Sequence, residues 1–194
     1  MPNRQHLGSL RLLCLLVHAM ANSISRLSLP QLNAADLAGF TAALGGIYEH
    51  SAWVAERAAA LRPFADVDTL AAAMAGVVAA ASEDEKSALI LAHPDLAGRL
   101  ARAGALAPSS AGEQAGLGLD RLPDAEFEMF DRLNTAYHTR FGFPFIIAVK
   151  RHTRASVLAA FHVRLENDQA TERATALREI DMIARLRLDA LLAD

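Results

Sequence analysis

The run from Ser82 to Pro94 constrains the fold more tightly than any other part of this chain. Ser82 and Glu85 form a capping-box pattern, in which the serine hydroxyl accepts from the third helical amide and the glutamate reaches back to the serine amide. Leu89 and Ile90 supply an apolar side. Pro94 disfavours the αR conformation for the residue before it, so the helix must stop at His93. A start, a face and a stop, with no two-residue alternation, define a helix.

The same punctuation recurs along the chain. Asn33 is positioned to cap a helix through about Leu44, which Gly45-Gly46 stops. Ser51 caps a second, carrying Trp53 and Val54 and ending near Leu61 before Arg62-Pro63. Asp66 or Asp68 opens a third, through Leu70, Met74 and Val77. A short helix or turn covers Leu96 to Arg102 and closes at Gly104. Ser110 begins another, ended by Gly116 or Gly118. Pro123 suits the first turn of a longer helix with Phe127, Phe130, Leu133 or Asn134, and Tyr137 on its apolar side. Phe141 to Val149 reads as extended. Thr153 starts a helix bearing Val157, Leu158, Phe161 and Leu165. The last runs from about Ala170 to Leu192, with Leu177, Ile180, Ile183, Leu186 or Arg187, and Leu191 on one side. The spacing therefore predicts an all-α chain, an irregular bundle of about eight helices with one short extended segment.

Composition agrees and narrows the function classes. The 194 residues are rich in alanine, leucine and arginine, 53% hydrophobic and only 6% aromatic, which favours helices. The length suffices for one domain with a proper core. A formal net charge of −3 gives no basic field for nucleic acid or an anionic membrane, so neither is an expected partner. The single cysteine, Cys14, excludes an intrachain disulfide and fits a reducing compartment. Residues 1–21 read as an extension before a single domain at 22–194, with Met20 as an alternative start. Within them, Arg11 and the apolar run Leu12 to Val17 precede Ala19-Met20-Ala21, a pattern also found in secretory signals. Arg11-Leu12 and His18-Ala19 also fit a loose N-terminal peroxisomal address. The expected location is cytoplasmic, with peroxisomal as the alternative.

Several residues carry possible chemistry. His93 sits at a helix C-terminus, where the helix dipole favours imidazolium, and a nearby carboxylate would favour it further. Such a histidine is either a proton donor or a cap on the last helical carbonyls. Glu113 has the same ambiguity. Ser110-x-x-Glu113 is a capping-box pattern, yet a helix N-terminus also presents amides to an anion. Gln114 offers a donor and an acceptor to a urea-like ligand. Arg164 and Arg187 are candidate anion clamps. Arg187 interrupts an apolar stripe, which is costly unless it is paired or faces a pocket, whereas Arg164 suits a structural role on helix carbonyls or an acid. Trp53, Phe141, Phe143 and Phe145 read as core. No pattern of paired cysteines, His-Glu-x-x-His or clustered carboxylates suggests a metal, and no glycine-rich phosphate loop suggests a nucleotide.

Taken in order, His93-Pro94-Asp95-Leu96-Ala97-Gly98, Ser110-x-x-Glu113-Gln114, Leu133-Asn134-x-x-Tyr137, Arg140-Phe141-Gly142-Phe143-Pro144-Phe145 and Leu186-Arg187-Leu188 resemble the OHCU decarboxylases. These enzymes act on 2-oxo-4-hydroxy-4-carboxy-5-ureidoimidazoline, between urate and (S)-allantoin. The similarity runs from about Leu37 to Leu192 and includes Ser51-Ala52-Trp53-Val54-Ala55 and Arg62-Pro63-Phe64. The resemblance implies a homodimeric all-α enzyme with no cofactor and no metal, acting on a small ureidoimidazoline. It implies His93 as the proton donor that sets product handedness, Glu113 as its catalytic partner and Arg187 as the substrate-binding arginine. It also implies substrate contacts at Pro94, Ser110, Ala111, Gly112 and Gln114, and at Phe145, Ile146, Ile147, Ala148 and Val149. Two other readings remain: a hydrolase or isomerase of a related ureido or cyclic-amide compound, and a non-enzymatic helical interaction module.

Overall fold

The computed structural model describes residues 27–192, so expectations about Cys14 and the N-terminal extension lie outside the described residues. Among these residues the chain forms helices and no strand. In order they are α1 (Leu29–Ala34), α2 (Leu37–Leu44), α3 (Trp53–Ala58), α4 (Val67–Ala79), α5 (Glu83–Leu91), α6 (Arg99–Arg102), α7 (Pro108–Gly116), α8 (Asp124–Phe141), α9 (Arg154–Arg164) and α10 (Gln169–Leu192). Three short 3₁₀ turns, Ala59–Leu61, Leu119–Arg121 and Val149–Arg151, join them. The all-α reading holds, with ten α-helices among the described residues where the spacing predicts about eight.

Many starts are where the cap signals place them. Ser82 and Glu85 exchange both capping-box bonds, Asp66 accepts from the Thr69 amide, and Thr153 caps α9. Three starts differ. Asn33 does not cap: Ser28 with Gln31 caps α1, and Asp36 caps α2. Asn33 instead clasps Phe64, donating to its carbonyl at 2.8 Å and accepting from its amide at 2.9 Å. Ser51 is buried one residue before the α3 cap, Ala52, and makes no capping bond. Ser110 is the third residue of α7, because Pro108 occupies its first position. The extended segment is shorter than Phe141 to Val149, since α8 keeps Phe141 and the 3₁₀ turn takes Val149. Gly142, at φ 77°, makes the left-handed turn that ends α8.

The core forms around α10, whose buried line is Ala176, Ile180, Ala184, Leu188 and Leu192. The small alanines let α4 and α5 pack closely against it, α4 through Leu70, Met74 and Val78. A second, aromatic part of the core joins α8, α9 and the segment between them. Phe145 stacks on Phe161 at 3.6 Å, and Tyr137 meets both rings edge-on. Phe141, Phe143 and Phe145 are core, as expected, whereas Trp53 is only partly buried and lies under the Arg57 guanidinium.

Arg164 pairs with an acid inside this core. Its Nε and Nη2 donate to Glu172 Oε1 at 2.8 and 2.5 Å, and its Nη1 to the Ile146 carbonyl at 2.7 Å. Tyr137 and Asn167 also donate to Glu172, which has no exposed surface. Every charged group is partnered, which a buried ion pair requires.

Candidate active site

Six polar side chains converge between α5, α7, α10 and the loop before α3. Arg187 lies at the centre, only 8% exposed. Its Nε and Nη2 reach the two oxygens of Glu113 at 2.8 and 2.9 Å, a fork-to-fork pair. Nη2 also donates to Ser110 Oγ at 3.2 Å. Nη1 lies 2.9 Å from Glu49 Oε2 and donates to the Gly46 and Ile47 carbonyls at 3.4 and 3.3 Å. Burial works against the guanidinium charge, but the bonds and charges of Glu113 and Glu49 outweigh it and hold the group above its ordinary pKa. The arginine that breaks the apolar stripe is thus paired twice over.

This geometry removes the capping role from Glu113. Ser110 cannot cap α7 from inside it, and its hydroxyl donates to Glu49 Oε2 at 2.8 Å instead. Glu113 makes no return bond to the Ser110 amide and is committed to Arg187. Glu49, 4% exposed, is the site residue that sequence reasoning missed. It lies in the loop between α2 and α3, where no hydrophobic period marks it. Neighbouring Tyr48 pins that loop to α10, donating to Asp181 Oδ1 at 2.9 Å. Burial raises the pKa of both the Tyr48 phenol and the Asp181 carboxyl.

His93 does two jobs at once. Its Nδ1 lies 2.9 Å from the Leu89 carbonyl, which can only accept, so Nδ1 carries the proton. That bond caps the end of α5. In the neutral ring Nε2 is left with its lone pair. The expectation of a favoured imidazolium does not hold. Burial pushes the ring below its ordinary value, against the Leu89 carbonyl and the carboxylates of Glu49 and Glu113, and Arg187 adds to the lowering. The dipole and the carboxylates are real, but desolvation is larger.

The loop after His93 is tightly tied. Ala97 has φ 52°, a strained conformation for a residue with a Cβ. Gln114 secures it, accepting from the Ala97 amide at 2.8 Å and donating to the Asp95 carbonyl at 3.3 Å. Asn134 holds the Leu96 carbonyl at 2.8 Å. Both ends of the Gln114 amide therefore have protein partners.

A small cleft, partly open to solvent, borders this cluster. His93, Pro94, Ser110, Glu113, Gln114 and Arg187 line it, with Leu96, Ile183 and an apolar wall of Phe145, Ile146, Ile147 and Val149. Of the residues expected to contact a substrate, three lie elsewhere. Ala111 and Gly112 face neighbouring hollows on the other sides of α7. The Ala148 amide is taken by Glu179 Oε2 at 2.8 Å. The arrangement offers an imidazole nitrogen with no protein partner among the described residues, a carboxylate–guanidinium pair and unpaired backbone among mostly buried residues, groups that acid–base chemistry on a small polar molecule can use. No helix among the described residues is long and apolar enough to cross a membrane.

A family model described as OHCU decarboxylase matches residues 33–189. The 2-oxo-4-hydroxy-4-carboxy-5-ureidoimidazoline decarboxylase of Haloferax volcanii is 46% identical over 162 residues, covering 84% of this chain and 94% of that protein. The protein of the same name from Halalkalicoccus jeotgali is 42% identical over 168 residues, covering 87% and 93%. A crystal structure of (S)-allantoin synthase superposes with a TM-score of 0.67 at 35% identity, covering 86% of this chain. The chain spans about half of that structure's length, 54%.

Proposed function

The chain belongs to the OHCU decarboxylase family, and on that premise we propose how its cleft converts 2-oxo-4-hydroxy-4-carboxy-5-ureidoimidazoline (OHCU) to (S)-allantoin. The reaction is a decarboxylation in urate degradation, and in class a carboxy-lyase step. The observation that carries the site assignment is the convergence of His93, Glu113 and Arg187 on one cleft, with Glu113 released from any capping role.

The substrate's name gives its chemistry. Carbon 4 bears both a hydroxyl and the departing carboxylate, beside the ureido-bearing carbon 5. As carbon dioxide leaves, the bonding pair moves into the ring and its C=N nitrogen, which takes a proton from solvent. The reaction therefore needs no separate electron sink. The hydroxyl oxygen then becomes the carbonyl of allantoin and gives up its proton, while carbon 5 gains one. Neutral His93 suits this exchange: Nε2 accepts the hydroxyl proton and delivers it to one face of carbon 5, setting the handedness. Arg187 offsets developing negative charge, and Glu113 orients the guanidinium and favours the transient imidazolium. Pro94, Ser110, Gln114, Phe145, Ile146, Ile147 and Val149 shape the cleft. Because every Arg187 N–H already has a partner, a substrate anion gains this guanidinium only by displacing one of them.

In this reading residues 22–194 are one catalytic domain and residues 1–21 are dispensable. The protein works as a cytoplasmic homodimer, the location resting on the single cysteine and the dimer on the family resemblance. The test is spectroscopic. Freshly generated OHCU should disappear faster with the protein than without it, and circular dichroism should report (S)-allantoin. Racemic allantoin at the uncatalysed rate would refute the assignment.

A further inference from the structure

The apolar wall of the cleft is held from behind. Phe143 to Val149 is buried and lies outside the α-helices. From Phe143 to the Ala148 amide, two backbone groups have partners among the described residues. The Ile146 carbonyl accepts from Arg164 Nη1 at 2.7 Å, and the Ala148 amide donates to Glu179 Oε2 at 2.8 Å. Neither Arg164 nor Glu179 lines the cleft.

A trans peptide is planar, with its N–H and C=O on opposite sides. The Ile146 carbonyl, turned to Arg164, directs the Ile147 N–H the other way. The Ala148 N–H, turned to Glu179, likewise directs the Ile147 carbonyl away from Glu179. Ile147 is 5% exposed and lines the cleft, and neither of its peptide groups has a partner among the described residues. Buried peptide groups are paired in the great majority of cases. A donor and an acceptor left free on one residue match the N–H and C=O edge of a ureido group or ring amide. Glu179 precedes Ile183 and Arg187 by one and two turns of α10, so one helix face carries the pin, part of the wall and the arginine.

We propose that Glu179 is a positioning residue: it holds the Ala148 amide and thereby fixes the Ile147 peptide edge against which the substrate's amide groups are read. This inference rests on the function assigned above. Arg164 fixes the other side, but its removal also breaks a buried ion pair, whereas Glu179 is partly exposed and separable from the core.

Glu179→Ala removes the acceptor, and Glu179→Gln keeps one through its amide oxygen. In Glu179→Ala the KM for OHCU should rise about tenfold with kcat within about twofold, the pattern of lost binding common to ground and transition states. Glu179→Gln should bring KM back to within about threefold of the parent. Hydrogen exchange at the Ala148 amide should quicken in the alanine variant and slow again in the glutamine variant. A merely structural role would lower the unfolding temperature and leave KM in place. An active parent with KM or Ala148 exchange unmoved in Glu179→Ala overturns the inference alone. A parent that leaves OHCU untouched overturns the assigned reaction and this inference with it.

Discussion

The sharpest consequence of the buried imidazole concerns pH. Burial holds His93 below its ordinary value, so near neutrality the free protein presents an unprotonated Nε2 to the cleft. If that nitrogen takes up the substrate's hydroxyl proton, kcat/KM should be level above the ordinary histidine value of about 6.5. It should fall on the acid side, approaching tenfold per pH unit below the His93 pKa. Stability moves the same way. With its pKa lowered on folding, His93 binds fewer protons than in the unfolded chain, so its contribution is full above about pH 6.5. That contribution diminishes as pH falls from there through the folded pKa. The assay is therefore kcat/KM from acid to neutral pH, with far-ultraviolet circular dichroism at each point to exclude unfolding. His93→Asn supplies the control. It should lose about 10²–10⁴ in kcat, or roughly 3–5 kcal/mol of barrier, and its residual activity should lack the acid limb. A rate that falls instead as pH rises through neutrality would mean that the free protein must be charged at His93, and would refute this reasoning.

Three further outcomes follow from the site and the core. Glu113→Gln should cost much of the activity and also lower the unfolding temperature, since it removes one of the two carboxylates paired with buried Arg187; unchanged turnover of OHCU would remove it from the site. Arg187→Ala should lower kcat/KM and also destabilise the fold, because it strands Glu49 and Glu113; kinetics and thermal unfolding measured together should show both. Breaking a buried pair costs about 3–5 kcal/mol, so Arg164→Ala should melt several degrees lower, and an unchanged melting temperature would contradict the pairing with Glu172. Protein begun at Met20 should retain full turnover of OHCU if residues 1–21 are dispensable.

What was legible in the chain was whatever depends on near neighbours. Ser82, Asp66 and Thr153 cap helices because a side chain three residues from its target needs no tertiary structure to reach it. Pro94 bars α5 from continuing for an equally local reason. The misreadings have one cause. Asn33, Ser51 and Ser110 are capping types by chemistry, but the fold gives each another place: against Phe64, buried ahead of α3, and against Glu49. Pro108 was the local clue that α7 begins before Ser110. Glu49 had no local mark, since its partners Ser110 and Arg187 come to it only through packing. The His93 titration was misjudged for the same reason. The dipole and an adjacent acid can be inferred from the chain, whereas desolvation belongs to the finished interior. The family motifs did point to the convergence of His93, Glu113 and Arg187, though not to the saturation of the arginine's donors.

The alignment of Glu179, Ile183 and Arg187 on α10 makes that helix intolerant of insertions as well as substitutions. An α-helix turns about 100° per residue. One extra residue between Glu179 and Arg187 would carry the guanidinium to a different side while leaving composition and helical propensity almost unchanged. Placed between Ile180 and Ala184, it would also bring those two core residues out of phase with each other. From Glu179 to Leu188, α10 should keep its residue count wherever this cleft is kept.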